Sequence, residues 1–170
     1  MRLDWNWTDG VLELEDDESS IVAFRDIQPD EWYLRHHFPR FPVVPGVFLI
    51  EAMAHTVGVL QSLKARRATA SFHHYVLAAV VSARFYRFAR PGQRVVFRAT
   101  IIDSTLDEVR AKVEASSLEG RLARCELVIS RLDLAEVLGD ACEVDPFGLA
   151  NYLRRVMPED LWARYELTSR

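Results

Sequence analysis

Hydrophobic positions along this chain change period several times, and each change marks an element. Near the start, Val11-Leu12-Glu13-Leu14-Glu15 and Ile21-Val22-Ala23-Phe24 flank the polar run Asp16-Asp17-Glu18-Ser19-Ser20. Two short apolar stretches about a polar turn predict a hairpin, with the acidic run as a solvated turn rather than a binding site. The segment from Gln28 to Pro45 reads QPDEWYLRHHFPRFPVVP and holds four prolines. Each proline disfavours helix at the residue before it, so no regular helix is expected there. A long loop this aromatic is expected to be ordered, and long ordered loops in compact domains are commonly functional.

After Pro45 the sequence is apolar almost all round from Gly46 to Leu63, which predicts a helix enclosed on most sides. Pro45 suits its first turn, while Lys64, Arg66 and Arg67 suit the C-terminal end of its dipole. Strands follow. Tyr75 to Ser82 reads as a buried apolar run, and Val95, Phe97, Ala99 and Ile101 alternate with neighbours that include Arg94 and Arg98. Val109, Ala111, Val113 and Ala115 point one way, with Arg110, Lys112, Glu114 and Ser116 the other, and Ala123, Cys125, Leu127 and Ile129 repeat the pattern after a Glu119-Gly120 turn. One buried helix followed by hairpin-connected strands predicts an antiparallel sheet wrapped round that helix, an α+β arrangement. This body is expected to span residues 1–134, with a helical extension over residues 135–170. There Asp145-Pro146 supplies an N-cap and first-turn pair, and Phe147, Ala150, Leu153 and Val156 recur at helical spacing; Leu161 and Trp162 follow after Pro158. The extension is expected to pack on the same domain or dimer rather than to bind a separate partner.

Composition narrows the class. A chain of 170 residues, 49% hydrophobic and 27% charged, can bury one sizeable core. No stretch is read as approaching the roughly 18 to 20 uncharged apolar residues of a membrane span, and MRLDWNWTDG lacks the apolar core of a secretory signal. A cytoplasmic protein is therefore expected. Cys125, within an alternating strand, and Cys142, near the tail helix, stand outside any CxxC or Cys/His cluster, so both are expected to be structural thiols, with no metal site. A net charge of −4 argues against nucleic acid as a partner.

The candidate chemistry lies between the loop and the helix. His36 and His37 are adjacent in the proline-rich loop, Gly46 opens the helix, and Glu51 is a carboxyl amid apolar neighbours. Such a carboxyl is costly unless it is paired or faces a cavity, which leaves two readings of Glu51, catalytic or salt-bridged. Together, His37-Phe38-Pro39, Pro42-Val43, Pro45-Gly46-Val47 and Glu51-Ala52, with Ala54 beyond, closely resemble the active-site signature of the β-hydroxyacyl-ACP dehydratases of fatty acid synthesis, including the spacing of fourteen between histidine and acid. The resemblance extends over Val11 to Leu134, taking in Ala83-Arg84-Phe85-Tyr86-Arg87 and the Pro91-Gly92 turn.

That resemblance implies a hot-dog fold and cofactor-free removal of water from a 3-hydroxyacyl thioester on acyl carrier protein. It also implies a homodimer, or a higher homo-oligomer, in which the histidine of one subunit meets the carboxyl of the other. His37 is then the base, Glu51 the acid, and the backbone N–H of Gly46 the donor to the thioester carbonyl. His55 stands where such enzymes usually carry glutamine, one turn beyond Glu51, in a position to orient it or alter its protonation. His36 is expected to be a partly exposed loop residue. Arg84, Arg87 and Arg90, with Arg40, Arg66 and Arg67, are candidate docking positions for an acidic carrier protein. Two further readings are a hot-dog thioesterase and a non-catalytic acyl-binding module.

Overall fold

The computed structural model describes residues 7–132 and 146–165. Cys142, Asp145 and the expected 134/135 boundary lie outside them. Six strands form one antiparallel sheet in the order β1-β2-β4-β5-β6-β3: β1 (Gly10–Leu14), β2 (Ser20–Asp26), β3 (His74–Phe85), β4 (Arg94–Ser104), β5 (Glu108–Ser117) and β6 (Gly120–Leu132). Helix α1 (Gly46–Thr69) lies against this sheet, and α2 (Pro146–Val156) and α3 (Glu159–Trp162) follow near the C-terminus. The alternation read in the last strands holds: Val95, Phe97, Ala99, Val109, Ala111, Val113, Ala115, Ala123, Cys125, Leu127 and Ile129 are buried in the core. Burial pushes the Cys125 thiol up to about 11, so it stays protonated and inert at neutral pH.

Helix α1 is enclosed on most of its surface, with Leu49, Met53, Val57, Leu60 and Leu63 among the least exposed residues. Gln61 Nε2 donates to the Thr105 carbonyl at 2.7 Å and the Ser62 hydroxyl to that of His73 at 2.8 Å. By length and composition α1 would suffice to cross a membrane. This corrects the expectation that no stretch approaches a span. The helix carries its cations at one end, so a long apolar window remains, and most of that window is buried in the protein.

Two other expectations need correction. The run from Tyr75 to Ser82 is not buried within the chain, because β3 is an edge strand; Val76, Leu77, Val80, Val81 and Phe85 are 37–51% exposed. The acidic turn is not wholly solvated either. Glu18 is buried, accepts a 2.6 Å bond from the Tyr165 hydroxyl, and pairs with Arg67 at 3.3 Å.

The C-terminal helices close on the same core. Leu153, Val156, Met157, Leu161 and Trp162 are buried in it, and Trp162 stacks on Phe72 at 5.9 Å. Removing a fully enclosed side chain leaves a cavity costing about 2–5 kcal/mol. Leu153→Ala should therefore lower unfolding free energy by about that amount in one cooperative denaturant transition. A loss below about 1 kcal/mol would show that α2 is not part of the core.

Candidate active site

The proline-rich loop is anchored before it reaches His37. Arg25 on β2 and Glu31 form a buried ion pair at 2.7 Å, with the guanidinium 4.6 Å from the centre of the Trp7 ring. A short 3₁₀ turn (Trp32–Arg35) follows, the one helical element the prolines allow. Trp7, Trp32 and Tyr33 converge on Phe48, in the first turn of α1, at ring separations of 4.8, 5.8 and 5.0 Å. Aromatic packing of this kind adds to simple burial and fixes the loop against the helix start.

His37 is held at several atoms. Its N–H donates to the Tyr33 carbonyl at 3.0 Å, its carbonyl accepts from the Val43 N–H at 2.9 Å, and its ring stacks on Phe38 at 4.3 Å. Nδ1 lies 3.1 Å from the Val43 carbonyl oxygen. A carbonyl can only accept, so Nδ1 carries the proton and Nε2 of the neutral ring keeps its lone pair. That lone pair is the basic position. His36, by contrast, is exposed, as expected for a loop residue.

His37 lines a cleft of about 590 Å³ with Gly46, Leu49, Phe85, Tyr86, Phe88 and Glu119, a volume suited to a small-molecule site. Gly46 is the first residue of α1, so its N–H has no acceptor within the helix. A Cβ there would lie 3.0 Å from the Phe85 ring. The glycine thus admits Phe85 and leaves the helix start accessible, at the end where the dipole favours negative charge. Phe85, Tyr86, Phe88 and Glu119 were not read as site residues. Their sequence signal was a strand end and a turn, and only the pairing of β3 with β6 brings them over the helix start.

Glu51 and His55 do not line this cleft. Glu51 Oε1 lies 3.2 Å from His55 Nε2, with both side chains between a quarter and a third exposed, 29% and 26%. His55 faces a second cavity farther along α1. Within one chain, then, the carboxyl lies outside the cleft that the histidine lines. Arg87 and Arg90 flank the His37 cleft; Arg87 donates to the Glu119 carbonyl, and Arg90 lies 4.9 Å from the Phe41 ring centre. Arg84 is exposed on β3, and Arg40 is exposed in the loop. Arg66 and Arg67 do not join them: Arg66 stacks on Phe72, and Arg67 on Tyr165. Among the described residues no cluster of three or more His, Cys, Asp or Glu could hold a metal ion.

Residues 5–122 match the family model of the FabA-like domain. The chain belongs to the FabA-like family. Similar proteins of this family include the 3-hydroxyacyl-[acyl-carrier-protein] dehydratase FabZ of Teredinibacter turnerae, 40% identical over 56% of this chain and 65% of that protein. The enzyme of the same name from Streptococcus mutans is 37% identical over 68% and 78%. In fold, the dehydratase heterocomplex ApeI:P from Xenorhabdus doucetiae is similar, with a TM-score of 0.65 at 15% identity over 78% of this chain and 87% of that one. The FabA-like match ends before α2 and α3, so both helices are additions to the matched segment.

The geometry at His37 makes a spectroscopic prediction. In the neutral ring, nitrogen NMR should show Nδ1 protonated and Nε2 bare. The opposite tautomer would mean that the Val43 carbonyl does not fix the ring.

Proposed function

We propose that this chain dehydrates a 3-hydroxyacyl thioester, carried on acyl carrier protein, to the trans-2-enoyl thioester in fatty acid or related lipid synthesis. The observation that carries this reading is the bonded His37 beside the free helix start at Gly46, in a chain similar to enzymes of that name. His37 Nε2 takes the proton from C2. Negative charge grows on the thioester oxygen, where the Gly46 N–H and the dipole of α1 stabilise it. Glu51, protonated, gives its proton to the C3 hydroxyl, which leaves as water while the C2–C3 double bond forms. Afterwards His37 holds a proton and Glu51 has lost one, so a net proton transfer between them, through solvent, restores both. General acid and base each typically contribute about 10²- to 10⁴-fold. His55, at 3.2 Å from the carboxyl, orients it.

A dimer supplies the carboxyl that the His37 cleft lacks within one chain. The exposed apolar edge of β3 is a template for pairing with a second copy, and a two-fold arrangement repeats any cross-chain contact twice. His37 of one chain then faces Glu51 of the other across the interface. Cytoplasmic localisation belongs to the same proposal, which the enclosure of α1 supports. The His-Phe-Pro loop, at its spacing from Glu51, favours dehydration over thioester hydrolysis.

His37→Ala and Glu51→Gln should each lower turnover at least about a hundredfold with the fold intact. Unfolding the two inactive variants together and reassembling them should restore activity, because each heterodimer regains one intact site. Verified heterodimers without activity would place both residues in a single-chain site.

Arg87 and Arg90 beside the cleft, with Arg84 exposed on β3, suit an acidic carrier protein, whose attraction acts mainly on association rate. Replacing Arg84 and Arg87 with Ala should lower kcat/KM several-fold for carrier-bound substrate, more so at low salt. The same change should spare an N-acetylcysteamine thioester, which has no protein surface. Equal losses on both substrates would remove the docking assignment.

A further inference from the structure

The second cavity holds about 330 Å³ and is walled by His55, Gly58 and Ser62 of α1, by His74, and by Leu149 and Tyr152 of α2. Three observations give it a role. Glu51, His55, Gly58 and Ser62 follow one another at helical spacing, so the cavity lies on the helix face that carries Glu51 and runs about 6 to 16 Å beyond it at about 1.5 Å per residue. Gly58 sits mid-helix, where glycine is unfavourable, yet a Cβ there would meet no atom within 4 Å. Close packing within the chain therefore does not require the glycine; the space in front of it is simply left open. The far wall comes from α2, which lies outside the segment matched by the family.

We infer that this cavity receives the distal end of the acyl chain, and that α2 is the stop that sets the longest chain accepted. The inference rests on the dehydratase reading for the thioester end of the ligand and goes beyond it in naming where the chain ends. Tyr152 is held at that wall by burial, which also raises its pKa. His74 is kept below the usual imidazole range, first by desolvation and then by His73, so its ring meets the chain uncharged at neutral pH.

The test measures binding without turnover, using the full-length protein and saturated S-(2-oxoalkyl)-pantetheine thioethers of increasing chain length. In the wild type, affinity should climb with each added methylene and then level off. Gly58→Leu fills the space and should move the plateau to shorter chains. The ratio of long- to short-chain affinity should fall at least about tenfold, the loss of roughly two buried methylenes. Tyr152→Ala should move the plateau the other way, toward longer chains. An unchanged ladder in both variants overturns the inference, as does the absence of any chain-length dependence in the wild type. So does a Gly58→Leu protein whose dimer dissociates in sedimentation, since the space would then belong to a second copy. Because binding is read alone, a protein with the expected ladder but no dehydration would fail the functional proposal while keeping the pocket.

Discussion

Helix α1 has too little polar surface to face water, and most of the architecture follows from enclosing it. A sheet of six strands covers it, and the side chains of Gln61 and Ser62 find acceptors in the surrounding loops rather than in solvent. One chain supplies only part of the enclosure. The apolar positions of β3 remain open at the sheet edge, and the helix face bearing Glu51, His55 and Gly58 stays partly exposed. The cost of leaving these surfaces in water is the physical reason to expect a second copy, and under the proposed function the catalytic residues lie at that junction.

Under the proposed function the same helix organises the chemistry at both its start and its middle. At the start, Gly46, whose N–H has no acceptor within the helix, lines the cleft where His37 is fixed by Val43 and its loop by the aromatic cluster around Phe48. One and a half turns on, Glu51 emerges with His55 beside it. Under the proposed function, base and oxyanion donor are set by one rigid corner, formed by the loop and the helix start. On the same proposal the acid is set by the helix body, and its distance from the base depends on how two chains meet. The anchoring pair Arg25–Glu31, buried beneath the loop, holds that corner at some distance from the reacting atoms.

Much of this was legible in the sequence, for reasons that differ by element. Strands β4 to β6 each bury one face, so a period of two reported them directly; α1 is buried nearly all round, so an unbroken apolar run did the same. The run in β3 was misread because its pattern reports that apolar side chains need covering, not which chain covers them. Glu18 was misread because a turn's composition carries no sign of Tyr165, 147 residues away, whose hydroxyl reaches it. The fourteen-residue spacing of His37 and Glu51 pointed to the chemistry, yet that Glu51 stays outside the cleft lined by His37 appears only once the loop is folded back on the helix. Gly58 gave no signal, since a helix glycine is informative only when the space before it is seen to be empty.

Under the proposed function this site eliminates water across C2 and C3 of an acyl thioester. The most direct test is product analysis of one 3-hydroxyacyl thioester incubated with the purified protein. The expected product is the trans-2-enoyl thioester, with the thioester bond intact and the reaction reversible from the enoyl side. Release of a free acid, or recovery of unchanged substrate by a folded dimer, would contradict it.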